Sequence, residues 1–166
     1  MSKRKIAAII SAVAGVLILV SVFSNTLLTK SGPRGSVKMG YTSMEACRGD
    51  NCRTTDIKKL EKDLAPIAHG LKYLVILIGI LGLIVPARRF LAQPDTETQK
   101  SLDKYQLFFL IFSVLGLLIL LGWIFVMPNM HGIIRLKLEI GWGAIIGIIG
   151  YVISIGAFIL MKLDRE

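Results

Sequence analysis

The chain has 166 residues, of which 54% are hydrophobic, and a mean hydropathy of +0.66. That is too apolar for a water-soluble domain built around one packed core. The formal charge of +9 raises nucleic acid as a partner, but the cations are scattered over loops and segment ends. They form no basic stripe with interleaved aromatics, so membrane flanks account for them and nucleic acid is set aside.

In chain order, residues 6–28 contain no ionisable group, which is the length a helix needs to cross a hydrocarbon layer of roughly 30 Å. Lys3, Arg4 and Lys5 precede this run, as they would in a cleaved leader, but the run exceeds the usual apolar segment of a signal peptide and reads as a retained first span. Three further spans are expected at residues 67–90, 105–126 and 140–161. Lys72 lies near enough to one end of its span to snorkel. Because lipid leaves no backbone group unsatisfied, four such runs predict an all-α membrane fold, a four-transmembrane-helix bundle in one domain, and exclude a barrel. Residues 29–66 then form a first external loop, 91–104 an internal linker and 127–139 a short second external loop.

Short basic flanks at Lys3–Lys5, at Arg88, Arg89, Lys100 and Lys104, and at Lys162 and Arg165 place both termini and the linker in the cytoplasm. The first loop carries eight basic residues of its own, Lys30, Arg34, Lys38, Arg48, Arg53, Lys58, Lys59 and Lys62. Its two cysteines help to decide the orientation. Cys47 and Cys52 are the only cysteines and stand in the string CRGDNC, where Gly49, Asp50 and Asn51 are turn formers able to bring them within bridging reach. A bridge persists only outside the cytosol, which puts this loop outside an integral membrane protein, with the cell membrane as the expected location. Two free thiols in a loop remain the plain alternative. Val37, Met39 and Tyr41 alternate with Lys38, Gly40 and Thr42, the period of a half-exposed strand, with Arg53–Ile57 as its return partner. Residues 56–64 read as a polar helical lead that Pro66 joins to the second span.

The first helix, the external hairpin with its cysteine pair, the stretch Cys52-Arg53-Thr54-Thr55-Asp56 and the helical lead into the second span resemble the claudin and peripheral myelin protein superfamily. So does Leu138-Glu139-Ile140-Gly141-Trp142-Gly143-Ala144 ahead of a glycine-rich span. The Gly-Leu-Trp triplet of claudins is replaced here by Gly40-Tyr41-Thr42-Ser43, the cysteine spacing is shorter, and Leu163-Asp164-Arg165-Glu166 does not match their scaffold-binding tail. The resemblance implies a claudin-like bundle with a small extracellular β-hairpin. It also implies adhesion, lateral assembly or a paracellular-type barrier exercised through that loop, whose cationic balance would line an anion-favouring pore.

Close helix contacts in lipid depend on small residues, which marks Gly143, Gly147 and Gly150 as the packing face of the fourth span, with lesser surfaces at Gly79, Gly82, Ser113 and Gly116. The interior of each span lacks the carboxylates and histidines that mark ion pathways, so transport by this chain alone is not expected. His69 and His131 are too far apart, and lack a third ligand, to predict a metal centre. No catalytic signature appears, so neither enzyme activity nor a cofactor is expected. The Arg48-Gly49-Asp50 tripeptide is explained by its turn. The interaction residues expected on the loop are Lys38, Tyr41, Arg48, Asp50, Arg53 and Asp56, facing the lipid bilayer, a second copy or other membrane proteins. Two other classes stay open: an accessory subunit of a channel, transporter or envelope complex, and a thiol oxidoreductase using Cys47 and Cys52. The latter lacks the second cysteine pair that a relay needs.

Overall fold

The computed structural model describes residues 3–33, 35–60, 62–91, 96–127 and 138–163. Four helices are long and apolar enough to cross a membrane: α1 (Lys3–Phe23), α3 (Ala65–Leu91), α4 (Thr96–Val126) and α5 (Trp142–Leu163). Between α1 and α3 lie strands β1 (Leu28–Gly32), β2 (Gly35–Met39), β3 (Ser43–Arg48) and β4 (Asn51–Asp56), then the short helix α2 (Ile57–Leu60). Strand β5 (Glu139–Ile140) precedes α5.

The expected boundaries shift at three places. The first helix stops at Phe23, not at residue 28, because Asn25 adopts a left-handed backbone with φ 51° that ends the helix, and Leu28 already belongs to a strand. Helix α4 begins at Thr96, so most of the stretch expected as an internal linker is helical. The fourth spanning helix starts at Trp142 rather than at residue 140, since Ile140 is paired in the sheet.

The expected small hairpin is an antiparallel sheet of five strands in the order β4-β3-β2-β1-β5. The partner of β4 is β3, and not the 37–42 segment, which supplies β2 and then turns at residues 40–42. Strand β1 pairs with β5 through Leu28↔Ile140 and Thr29↔Glu139, so strands from both loops meet at one end of the bundle. Helix α5 runs from that end, and α1 runs toward it, which leaves Lys3 and Leu163 at the opposite end.

Helix α1 packs between α3 and α5, and α4 closes the ring against the same two helices. Contact is closest where side chains are missing. A Cβ on Gly15 would lie 2.9 Å from the Gly79 carbonyl oxygen and 2.9 Å from the Gly82 carbonyl carbon, so α1 and α3 meet backbone to backbone. On the other flank of α1, Gly150 faces Ala14, Leu17 and Ile18, Gly147 faces Ser21, and Gly143 faces Ser24 and Thr26. Lipid gives no hydrophobic push between helices, so cohesion depends on such close van der Waals contact. Helices α4 and α5 add the buried Ser113 and Ser154 hydroxyls, 2.8 Å apart, and the Tyr151 ring lying on Gly116.

Candidate functional site: the five-stranded sheet

In an antiparallel sheet, directly paired residues point to the same face and successive residues to opposite faces. The register therefore sorts the sheet into two surfaces. One begins at the bundle with the row Ile140, Leu28, Met39, Met44 and Thr55. Leu28 and Met39 are buried in the core that also holds Tyr41, Ile57, Trp123 and Met127. The next row outward on the same face is Lys30, Val37, Ala46 and Arg53, followed by Gly32, Gly35, Arg48 and Asn51. The opposite face carries Thr29, Lys38, Glu45, Thr54 and Glu139, then Ser31, Ser36, Cys47 and Cys52.

Strand β1 leaves the bundle: Leu28 is buried, Thr29 and Lys30 are half-buried, and Ser31 and Gly32 are exposed. The outer rim of the sheet is formed by the open end of the β1–β2 pair, where Gly32 faces Gly35, and by a tight turn at residues 49–50. In this turn, Gly49 takes φ +57° at the first central position, the requirement of a two-residue turn whose twist suits a hairpin. Next to it, the cross-strand pair Cys47–Cys52 is joined as a disulfide with Cα atoms 4.0 Å apart. Asp50 is exposed at this tip. The described residues place Glu45 beside the two sulfurs, but bridged sulfurs are not thiolates and offer no metal site.

The inner turn, residues 40–42, points into the bundle end. Gly40 N–H donates to the Ser43 carbonyl at 2.9 Å, and Ile57 N–H donates to the Thr42 carbonyl at 2.9 Å. Gly40 lies directly on the Asn25 side chain, whose Oδ1 accepts from the Ser43 hydroxyl at 2.8 Å. Lys72 of α3 does not simply snorkel outward: its ammonium donates to Thr42 Oγ1 at 3.3 Å. The second loop is anchored similarly, with Gly141 N–H donating to the Leu27 carbonyl and Gly143 N–H to that of Thr26.

These placements sort the residues expected on the interaction loop. Tyr41 is not displayed: at 2% exposure it is buried under the sheet, its ring 5.9 Å from that of Trp123, and burial pushes its phenol above the ordinary range. An aromatic ring at the inner turn gains more by filling the bundle end than by facing water. Asp56 caps α2, accepting from the Lys58 N–H at 2.8 Å, so its carboxylate has a structural partner. Lys38 sits 4.0 Å from Glu45 across the strands, on the face away from Arg48 and Arg53. His69 is half-buried in α3, and His131 lies outside the described residues.

Arg48 and Arg53 come together with Lys30 around a hollow of about 650 Å³, floored by Val37 and Ala46 and rimmed by Gly32, Pro33, Gly35 and Asn51. The two arginines stand out in the sequence, but Lys30, Val37 and Ala46 do not stand out as their companions. No local pattern carries that grouping, because it exists only once four strands are in register. Set against protein-family models and curated proteins, the chain has no match.

Proposed function

We propose that this protein is a claudin-like tetraspan, lodged in the cell membrane with both termini cytoplasmic, which acts by binding through its external sheet and not by turnover. The observation that carries this reading is the joint sheet: strands from both external loops are hydrogen-bonded into one surface and anchored on the bundle by Leu28, Met39 and Tyr41. A surface so fixed is preorganised for recognition, since little ordering entropy is lost on contact. The four-helix arrangement, the cysteine pair at the hairpin rim and the Glu139–Trp142 approach to the last helix support the family resemblance. Adhesion, lateral assembly or a paracellular-type barrier is the activity that follows from it.

The disulfide fits a clip better than a redox centre. It closes the rim of a hairpin, and the described residues hold no second cysteine pair with which to exchange. Site-directed crosslinking from Asp50 and Ser31 in native membranes tests the proposal. Ladders of the protein's own multiples are expected. Discrete adducts with one other membrane protein would make it an accessory subunit instead, and monomers alone would overturn a binding role through this sheet.

A further inference from the structure

We propose that the hollow on the bundle-facing side of the sheet binds a phosphate-bearing amphiphile, its phosphate held by Arg48, Arg53 and Lys30 and its apolar portion lying on Val37 and Ala46. This inference rests on the sheet's register and does not depend on the claudin-like reading.

The geometry is specific. Lys30 and Arg53 stand at the two ends of one cross-strand row whose middle positions are Val37 and Ala46. Strands lie about 4.8 Å apart, so that row spans roughly 14 Å, and long basic side chains at its ends can fold inward over the apolar middle. Arg48 is the diagonal cross-strand neighbour of Arg53, a separation of about 7–8 Å that guanidinium side chains close easily. In the outermost row, Gly32 and Gly35 have no side chains to fill the space beside Arg48. Gly35 is also held at φ +144° against the Cys47 carbonyl, where a larger residue would be strained.

Charge is segregated across the sheet. The hollow is lined by three cations and no carboxylate. Glu45 and Glu139 are on the opposite face, where Glu45 is beside Lys38. Among the described residues, Lys30, Arg48 and Arg53 make no ion pair, so no described carboxylate compensates their charge. A concave site of this size, mostly apolar with a few convergent charged groups, is the usual form of a small-ligand pocket. Two arginines suit a phosphate monoester, since each planar guanidinium can present two parallel N–H groups and three terminal oxygens with up to two negative charges can engage both at once, where a carboxylate has two oxygens and one charge.

The full chain in nanodiscs of zwitterionic phosphatidylcholine is titrated with short-chain phosphatidic acid, followed by native mass spectrometry. Saturable binding of one copy is expected, weakened about tenfold or more by Arg48→Gln with Arg53→Gln. Lys38→Gln, on the other face, is expected to leave it unchanged. Because all three side chains are solvent-facing and the disulfide remains, folding of the variants is verified by an unshifted thermal melt. Equal binding by the double variant, or equal loss with Lys38→Gln, would overturn the site. Binding of inorganic phosphate as tight as that of the amphiphile would overturn the role of Val37 and Ala46. Repeating the titration in discs containing phosphatidylglycerol identifies the source. Competition by the disc lipid points to a bilayer headgroup, and undiminished binding points to a soluble phosphate ester, the hollow being the binding site in either case.

Discussion

The helix bundle and the five-stranded sheet are held together by opposite means. Inside the bundle, α1 reaches α3 and α5 because Gly15, Gly79, Gly82, Gly147 and Gly150 leave nothing in the way. The sheet instead is secured by what it inserts and ties: Leu28, Met39 and Tyr41 buried at the bundle end and a disulfide at the rim. The difference follows from the solvent. Lipid tails are as apolar as the side chains they would release, so only close contact favours helix association there. Water outside the bilayer penalises exposed apolar area, so burying a few large side chains suffices to seat the sheet.

The contrast breaks most severely at Gly15. Gly15→Leu places a Cβ against two backbone groups of α3, where no change of rotamer gives relief. Its cost is expected to exceed the roughly 1–3 kcal/mol typical of an overpacked core. Unfolding in mixed micelles is expected to show loss of the whole cooperative transition, sheet included. A variant that unfolds like the parent would mean that α1 and α3 do not depend on this contact.

Next in size is Tyr41→Ala, which removes the ring beneath the sheet and leaves a cavity beside Trp123, at a cost of about 3 kcal/mol by analogy with buried aromatic truncations. Tyr41→Phe keeps the ring. Since the Tyr41 hydroxyl has no hydrogen-bond partner among the described residues, this variant is expected to lie within about 1 kcal/mol of the parent. Equal destabilisation by both variants would show that the hydroxyl matters, not the packing. Hydrogen exchange sharpens the contrast further: Tyr41→Ala should expose amides of residues 35–57 before those of the helices.

Cys47→Ser with Cys52→Ser comes third. The bridge closes a loop with a sequence separation of only 5, for which the chain-entropy argument gives roughly 2 kcal/mol. Loss is expected in the β3–β4 hairpin alone, with α1 and α5 protected as before. If reduction instead abolished an electron-transfer activity while the hairpin remained protected, the clip reading would fail.

How far the fold can be read from residues alone follows the same division. The four spans are legible because a predominantly apolar run of about twenty residues matches the thickness of a bilayer and exceeds what a small soluble core can bury. Their ends are less so, since Leu27 and Leu28 resume the apolar run after the uncharged polar stretch Ser24-Asn25-Thr26, where Asn25 takes the left-handed backbone that stops the helix. In the sheet, the alternation of residues 37–42 points to β2, whereas β3 reads Ser-Met-Glu-Ala-Cys-Arg, poor in β-branched residues, and β5 has two residues. That is why alternation alone sets the hairpin one strand away from its actual position. Cys47, Cys52, Arg48 and Arg53 are visible as individual residues, but the face on which they lie requires the register, because one step along a strand reverses the side a residue takes. Tyr41 misleads for a related reason: its turn points inward, and nothing in Gly40-Tyr41-Thr42 distinguishes an inner turn from an outer one.

The smallest expected effect lies where the two regions meet. Lys72 is a charged residue in an otherwise apolar stretch of helix, yet its ammonium reaches the Thr42 hydroxyl in the inner turn of the sheet. At 3.3 Å and only partly buried, this bond is expected to contribute about 1 kcal/mol, less than a short charge-assisted hydrogen bond. Lys72→Met retains the stem and removes the bond, so α3 should keep its packing while the 40–42 turn loosens. The measurable consequence is faster exchange of the Gly40 and Ile57 amides, which are bonded to Ser43 and Thr42, with unchanged protection in α1. Thr42→Val should reproduce that pattern, and the double variant should add nothing to either, because both remove the same contact. Additive effects would mean that Lys72 serves a partner other than the turn.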